Sequence, residues 1–146
     1  VTSNIIVFNR ELLSSPAFRS LKGSAWLVYL DFLGKRKIQK IGKHKTPTII
    51  NNKDITYYYS EAEKKGISRK KFRDAIDELI KKGFIDIFHQ GQGYQKDKTL
   101  YELVDRWRLW DTPHFEEKTR TKDTRQGKGF QKDNQLWMKK RAKGSV

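Results

Sequence analysis

The sequence predicts an α+β fold, a three-helix core closed by a β-hairpin, with a basic extension at the C-terminus. Three observations predict it. In "RKKFRDAIDELIKK" (69–82), Phe72, Ala75, Ile76, Leu79 and Ile80 fall at i, i+3, i+4, i+7 and i+8, the spacing of one buried helical face. Directly after it, "FIDIFHQ" and "LYELVD" alternate like half-buried strands and are joined by the glycine-bearing loop "GQGYQKDKT", which reads as a hairpin. Composition then changes near residue 115. Residues 1–115 hold 22 basic and 13 acidic residues and almost all the Ile, Leu, Val, Phe and Tyr. Residues 116–146 hold 10 basic and 4 acidic residues, with Phe130, Leu136, Trp137, Met138, Ala142 and Val146 as their apolar material, too little for a core. The domain is accordingly placed at 5–115 and the tail at 116–146.

Ser15-Pro16 is a good helix start, Ser as N-cap and Pro at the first helical position, and Gly23 is the expected end of that short piece. Ser24 is expected to cap "AWLVYLDFLG", with Trp26, Leu27, Leu30 and Leu33 on its apolar face and Gly34 as its stop. "KRKIQKIGKHK" reads as a polar loop and "TPTII" as a short extended segment. A second main helix is expected from about Asn52 to Lys65, faced by Ile55, Tyr58, Tyr59 and Ala62. Gly66-Ile67 makes a tight turn, Ser68 caps the next helix, and Gly83 behind Lys81-Lys82 is its C-cap.

Charge narrows the function. Lys plus Arg is 32 against 17 Asp plus Glu, a formal charge of +15, which favours a polyanionic partner. The absence of cysteine excludes a disulfide framework and thiolate metal sites. No apolar run approaches the roughly 20 residues of a membrane span, and the N-terminus lacks a signal-peptide pattern. A cytoplasmic, nucleoid-associated protein with no membrane partner is expected. His44, His89 and His114 are isolated and show no metal-ligand spacing, and no phosphate-binding glycine loop or nucleophile motif is present, so neither a metal, a cofactor nor an enzymatic activity is expected. Glu61, Glu63 and Lys65 form an acidic-x-Lys pattern without a convincing partner carboxylate.

Arg69, Lys70 and Lys71 stand in the first turn of the helix that begins after Ser68, where the macrodipole disfavours cations by roughly 0.3–1 kcal/mol each. Either they decorate a solvated surface, or an anion belongs in front of that helix.

The predicted order is helix, short strand, helix, tight turn, helix, hairpin. With it, "YYYSEAEKKGISRKKFRDAIDELIKKGFIDI" followed by "GYQKDKTLYELVDRWRLWDTPHF" resembles a family of small prokaryotic winged helix-turn-helix proteins, often phage- or plasmid-associated. These are similar in layout to the DNA-binding domains of phage replication proteins. The resemblance covers roughly residues 5–130. It implies a winged-helix fold, nucleic-acid binding, and a replication or transcription role in a mobile element.

In winged-helix DNA binders the helix after the tight turn enters the major groove and the hairpin touches the backbone or minor groove. By position, that helix is 68–82, offering Ser68, Arg69, Lys70 and Arg73 with Lys71 on its flank, and the wing is about 90–98 with Tyr94, Lys96 and Lys98. The third residue after Ser68 is Lys71, not Glu or Gln, so the capping box is missing. Asp74, Asp77 and Glu78 make the second half acidic, so only the first two turns can approach DNA closely.

The tail cations, Arg120, Lys122, Arg125 and Lys128 among them, read as phosphate contacts. Trp107 and Trp110 read as core cover in preference to base-stacking platforms. Tyr57, Tyr58 and Tyr59 read as packing residues, with Tyr57 the one offered to a phosphate backbone. Duplex DNA is the favoured partner. Structured RNA within a ribonucleoprotein is the competing one, and a winged-helix protein-interaction module is a third reading. A homodimer or a larger nucleoprotein assembly is compatible with all of this.

Overall fold

The computed structural model describes residues 6–41, 43, 46–91 and 97–120. They form an α+β arrangement of five α-helices and two small antiparallel sheets. In chain order these are α1 (Arg10–Ser14), α2 (Pro16–Arg19), α3 (Ala25–Gly34), β1 (Ile38–Ile41), β2 (Thr46–Ile49), α4 (Tyr59–Lys64), α5 (Arg69–Lys82), β3 (Ile85–His89) and β4 (Leu100–Leu103). A 3-10 turn over Arg106–Leu109 follows.

Of the expected serine caps, Ser15 and Ser68 act as such, whereas Ser24 stands at the start of α3 in helical backbone and makes no side-chain cap bond. Ser15 Oγ accepts the Phe18 N–H at 3.2 Å with Pro16 at the first helical position, although α2 ends at Arg19, before Gly23. Ser68 Oγ accepts the Lys71 N–H at 3.3 Å and opens α5. All five apolar residues of the α5 face are buried. Behind α5 the hairpin pairs Ile85 with Leu103 and Ile87 with Tyr101, with an irregularity between Ile87 and His89.

Three expectations are corrected. The buried face of α3 is Ala25, Val28, Tyr29, Phe32 and Leu33, whereas Trp26 and Leu27 are 37% and 49% exposed. This helix is apolar on nearly every side, so spacing alone could not choose its inner face. The loop expected at "KRKIQKIGKHK" contains β1, which pairs with β2 in the register Ile38↔Ile49 to Ile41↔Thr46. The helix expected from Asn52 begins only at Tyr59. Ile55 is instead held extended by two backbone hydrogen bonds to Tyr101, one donated in each direction at 3.3 and 2.7 Å. That long-range pairing with β4 overrides a helical spacing of apolar residues.

The core is continuous and largely aromatic. Phe84 packs edge-on against Phe18 and Tyr29 and stacks on Trp107 at an interplanar angle of 8°. Phe32 contacts Tyr57 and Tyr101, and Tyr57 contacts Phe72, which ties α3, α5 and β4 together. Burial of the two phenols raises the Tyr29 and Tyr101 pKa values to about 12. Trp107 is buried and Trp110 packs against the core's margin.

At the end of α5, Gly83 adopts φ +86 and its backbone meets the 3-10 turn, with Trp107 N–H donating to the Gly83 carbonyl at 3.1 Å. A Cβ at this position would lie 2.7 Å from Arg106 Cβ and 2.8 Å from the backbone at Arg106 and Trp107. Gly83→Ala is therefore expected to cost at least about 2 kcal/mol, from the left-handed backbone and the displaced turn together. Thermal or urea unfolding checks this, and Lys81→Ala, at an exposed position, serves as a neighbouring helical comparison.

Candidate nucleic-acid interface

The α4–turn–α5 unit is built from short-range bonds. Ile67 N–H donates to the Ala62 carbonyl at 2.9 Å and Gly66, at φ +83, donates to Glu63 at 3.0 Å, so the chain reverses within Gly66-Ile67. Ile67 is buried and anchors the turn, which presents the next residues outward. Ser68, Arg69, Lys70, Lys71 and Arg73 are all exposed. Among the described residues, Lys70, Lys71 and Arg73 have no ion-pair partner. Arg69 has one: its Nε lies 3.0 Å from Glu63 Oε1, and its guanidinium sits over the Tyr59 ring at 5.7 Å. Both partners are exposed, and such a pair is worth only about 0–1 kcal/mol.

The acidic residues further along α5 are differently placed. Asp77 pairs with Arg120 at 2.8 Å, and Glu78 pairs with Lys82 at 2.9 Å while accepting the Lys22 N–H at 3.1 Å. Asp77 and Glu78 are thus neutralised by the body of the protein, whereas Asp74 is exposed in the second turn, so the start of α5 carries four cations against one acid.

Lys98 and Tyr59 line one cleft, and Arg69 lies over the Tyr59 ring. Lys98 is exposed and borders a cleft of about 570 Å³ between the hairpin loop and the start of α4, lined also by Tyr58, Tyr59, Thr99 and Tyr101. Tyr59 rests edge-on against Phe72 at 5.1 Å and carries Arg69 on its face. Tyr57 is not the tyrosine offered outward. It is buried, and its hydroxyl donates to Asp31 Oδ2 at 2.6 Å, so burial and this bond raise its pKa. Tyr58 and Tyr59 are the partly exposed pair.

Arg120 is set apart from the other candidate tail residues. It is drawn onto α5 by Asp77, as Lys118 is onto Asp86 at 3.5 Å, so residues 116–120 run back over the domain. Tyr94 and Lys96 of the wing, and Lys122, Arg125 and Lys128 of the tail, lie outside the described residues. Sequence reasoning missed Arg106, which pairs with Asp86 and donates to the Ile80 carbonyl at 3.1 Å and the Glu116 carbonyl at 2.9 Å. A lone arginine carries no periodicity that could have marked it.

The acidic-x-Lys pattern is consumed by structural pairs. Glu61 meets Lys35 at 2.6 Å, Glu63 meets Arg69, and Lys65 meets Asp31 at 3.2 Å. Burial alone would raise the Glu61 pKa, but hydrogen bonds from Lys35 and the Tyr58 N–H, with the charges of Lys35 and Lys65, hold it below the ordinary glutamate value. A carboxylate depressed in the folded state contributes stability above its unfolded pKa and loses it as pH falls through the folded one. Glu61→Gln should therefore destabilise the protein at pH 7, and the difference from wild type should vanish in acid, below the ordinary glutamate range. Paired urea titrations across pH 2.5–7 measure it.

Compared with protein-family models, with curated proteins and with solved structures, the chain has no significant match. Among the described residues, no group of three or more His, Asp or Glu could hold a metal ion, and no helix is long and apolar enough to cross a membrane.

Proposed function

We propose that this chain is a nucleic-acid-binding protein that takes duplex DNA as a winged helix-turn-helix, with the start of α5 in the major groove and the β3–β4 hairpin on the backbone. One observation carries the reading: the distribution of charge along α5. Exposed cations occupy the first two turns, where a helix alone resists them, and Lys70, Lys71 and Arg73 have no acidic partner among the described residues. Of the acids on the same helix, Asp77 and Glu78 are paired within the fold, which leaves exposed Asp74 as the one acid set against four cations. A phosphate in front of α5 supplies the missing counter-charge, and base edges supply hydrogen-bond acceptors. Charge-assisted bonds to both outweigh a local cost of a few tenths of a kcal/mol per residue.

The layout supports the same reading. A tight turn separates α4 from α5, a hairpin follows directly, and Lys98 in the hairpin loop lines the same cleft as Tyr59. A replication or transcription role for a mobile element remains part of the proposal through the resemblance alone.

Competition binding decides among partners. Labelled duplex DNA should be displaced by duplex DNA far better than by structured RNA or by a flexible polyanion of equal charge. Preferential displacement by structured RNA would reassign the partner, and equal displacement by all three would reduce the interface to a nonspecific basic surface. Random-site selection on duplex DNA then gives the preferred sequence, and a palindromic site would indicate a dimer.

A further inference from the structure

The β1–β2 ribbon has no evident duty in the core. Ile38, Ile49 and Ile50 are 47%, 39% and 52% exposed, and none of the strand residues whose burial is described belongs to the core. A two-stranded ribbon alone is marginally stable in water, so one that leaves Ile38 and Ile49 exposed needs a reason to be there. Its base is nonetheless fastened firmly. Asn51 Oδ1 accepts the Lys37 N–H at 2.6 Å, Asn51 Nδ2 donates to the Lys35 carbonyl at 3.0 Å, and Ile50 N–H donates to the Lys37 carbonyl at 3.0 Å. The asparagine thus staples both strands to the end of α3. From there Lys35 reaches Glu61 of α4, so the ribbon springs from beside the helix that precedes α5.

Charge states what the ribbon meets. Between Asp31 and Asp54 the chain contains no acidic residue and seven lysines and arginines. Lys35, Arg36 and Lys53 are occupied at the base, by Glu61, by the Val7 carbonyl and by the Phe88 ring. Lys37 and Lys43 are exposed with no acidic partner among the described residues, and Lys40 stands in β1 opposite Pro47. Lysines, and a proline that cannot donate from its strand, discourage the addition of another protein strand to a ribbon edge. A strand-pairing protein partner is therefore a poor fit. A segment that carries lysines and no acid fits a phosphate backbone.

We infer that the β1–β2 ribbon is a second backbone-binding arm, contacting phosphates of the same duplex through Lys37, Lys40 and Lys43. The inference rests on the proposed DNA binding by α5 and adds a contact outside the helix and hairpin. Its contribution is affinity and not sequence reading, because phosphate contacts position a protein without carrying sequence information.

The test compares the full chain with two triple variants, Lys37→Gln/Lys40→Gln/Lys43→Gln and the charge-preserving Lys37→Arg/Lys40→Arg/Lys43→Arg. Binding to the selected duplex and to a random duplex is measured across a salt series, and melting temperature is recorded for each. Each phosphate contact contributes about 0.9 to the slope of log affinity against log salt, so the glutamine variant should show a slope shallower by about 2–3. The arginine variant should keep the wild-type slope, the ratio between the two duplexes should be unchanged, and all three proteins should melt alike. A wild-type slope in the glutamine variant overturns the arm while leaving DNA binding by α5 intact. Loss of duplex preference in the glutamine variant overturns it too, because the ribbon would then be a reader. An equal slope loss in the arginine variant would show that shape and not charge is at stake, and would likewise reject it. Failure of the wild-type chain to bind either duplex removes both the arm and the reading beneath it.

Discussion

Changing Arg69, Lys70 and Arg73 together to alanine is expected to weaken binding to the preferred duplex by at least about 10²-fold without unfolding the protein. A side chain that reads a base edge is worth about 1–3 kcal/mol, and 1.4 kcal/mol is a factor of ten, so three such residues readily supply that loss. Stability should move little. The three side chains are exposed, and the cations at the start of α5 oppose the helix dipole, so their removal relieves a cost of about 0.3–1 kcal/mol each. Arg69 alone gives something back, through its exposed pair with Glu63 and its contact with Tyr59. The net change in melting temperature should therefore be close to zero or slightly upward. Discrimination between preferred and random duplexes should collapse at the same time, since the remaining contacts are to the backbone. An unchanged dissociation constant in a folded triple variant would remove α5 from the groove.

How much of this was legible in the sequence depends on whether a signal is local. The cap at Ser68, the turn at Gly66, the stop at Gly83 and the five-residue buried face of α5 are each fixed by a few neighbours, and each stands where the residues indicate. So do the two strands of the β3–β4 hairpin. Errors fall where a distant partner decides. Ile55 has helical companions at Tyr58, Tyr59 and Ala62, yet it pairs with Tyr101, which is far along the chain and invisible to any short window. Trp26 and Leu27 look like core, but α3 offers apolar residues on most sides, and Phe84, Tyr57 and Tyr101 choose which of them is covered. Strand β1 is only four residues, Ile-Gln-Lys-Ile, set among lysines and glycine, so it is too short to stand out and only its pairing with "TPTI" makes it a strand. For the candidate site, the residue types at the start of α5 could be read directly. The inward pairing of Asp77 and Glu78 could not, because Arg120 and Lys22 approach from elsewhere in the fold.

Truncation after Arg120 should lower affinity for every duplex while leaving preference among duplexes unchanged. The end point matters. Arg106 donates to the Glu116 carbonyl, Lys118 meets Asp86 and Arg120 meets Asp77, so a cut at residue 115 would strip contacts from α5 and β3 and confuse stability with binding. Beyond Arg120 the chain still carries eight lysines and arginines against two acids, and these are the charges the experiment removes. If roughly half of them neutralise phosphates, the slope of log affinity against log salt becomes shallower by about 3–4. The advantage of the full chain over the truncated one should then shrink by about 10²-fold between ~50 and ~200 mM salt, a consequence of the same counterion release. Preference should persist because it resides in the helix that begins after Ser68. Salt titrations of both proteins on preferred and random duplexes measure all of these quantities at once. A slope unaffected by truncation would mean that the tail touches no phosphate. Preference lost with the tail would make the tail a reader of sequence, and α5 would no longer be sufficient to explain recognition.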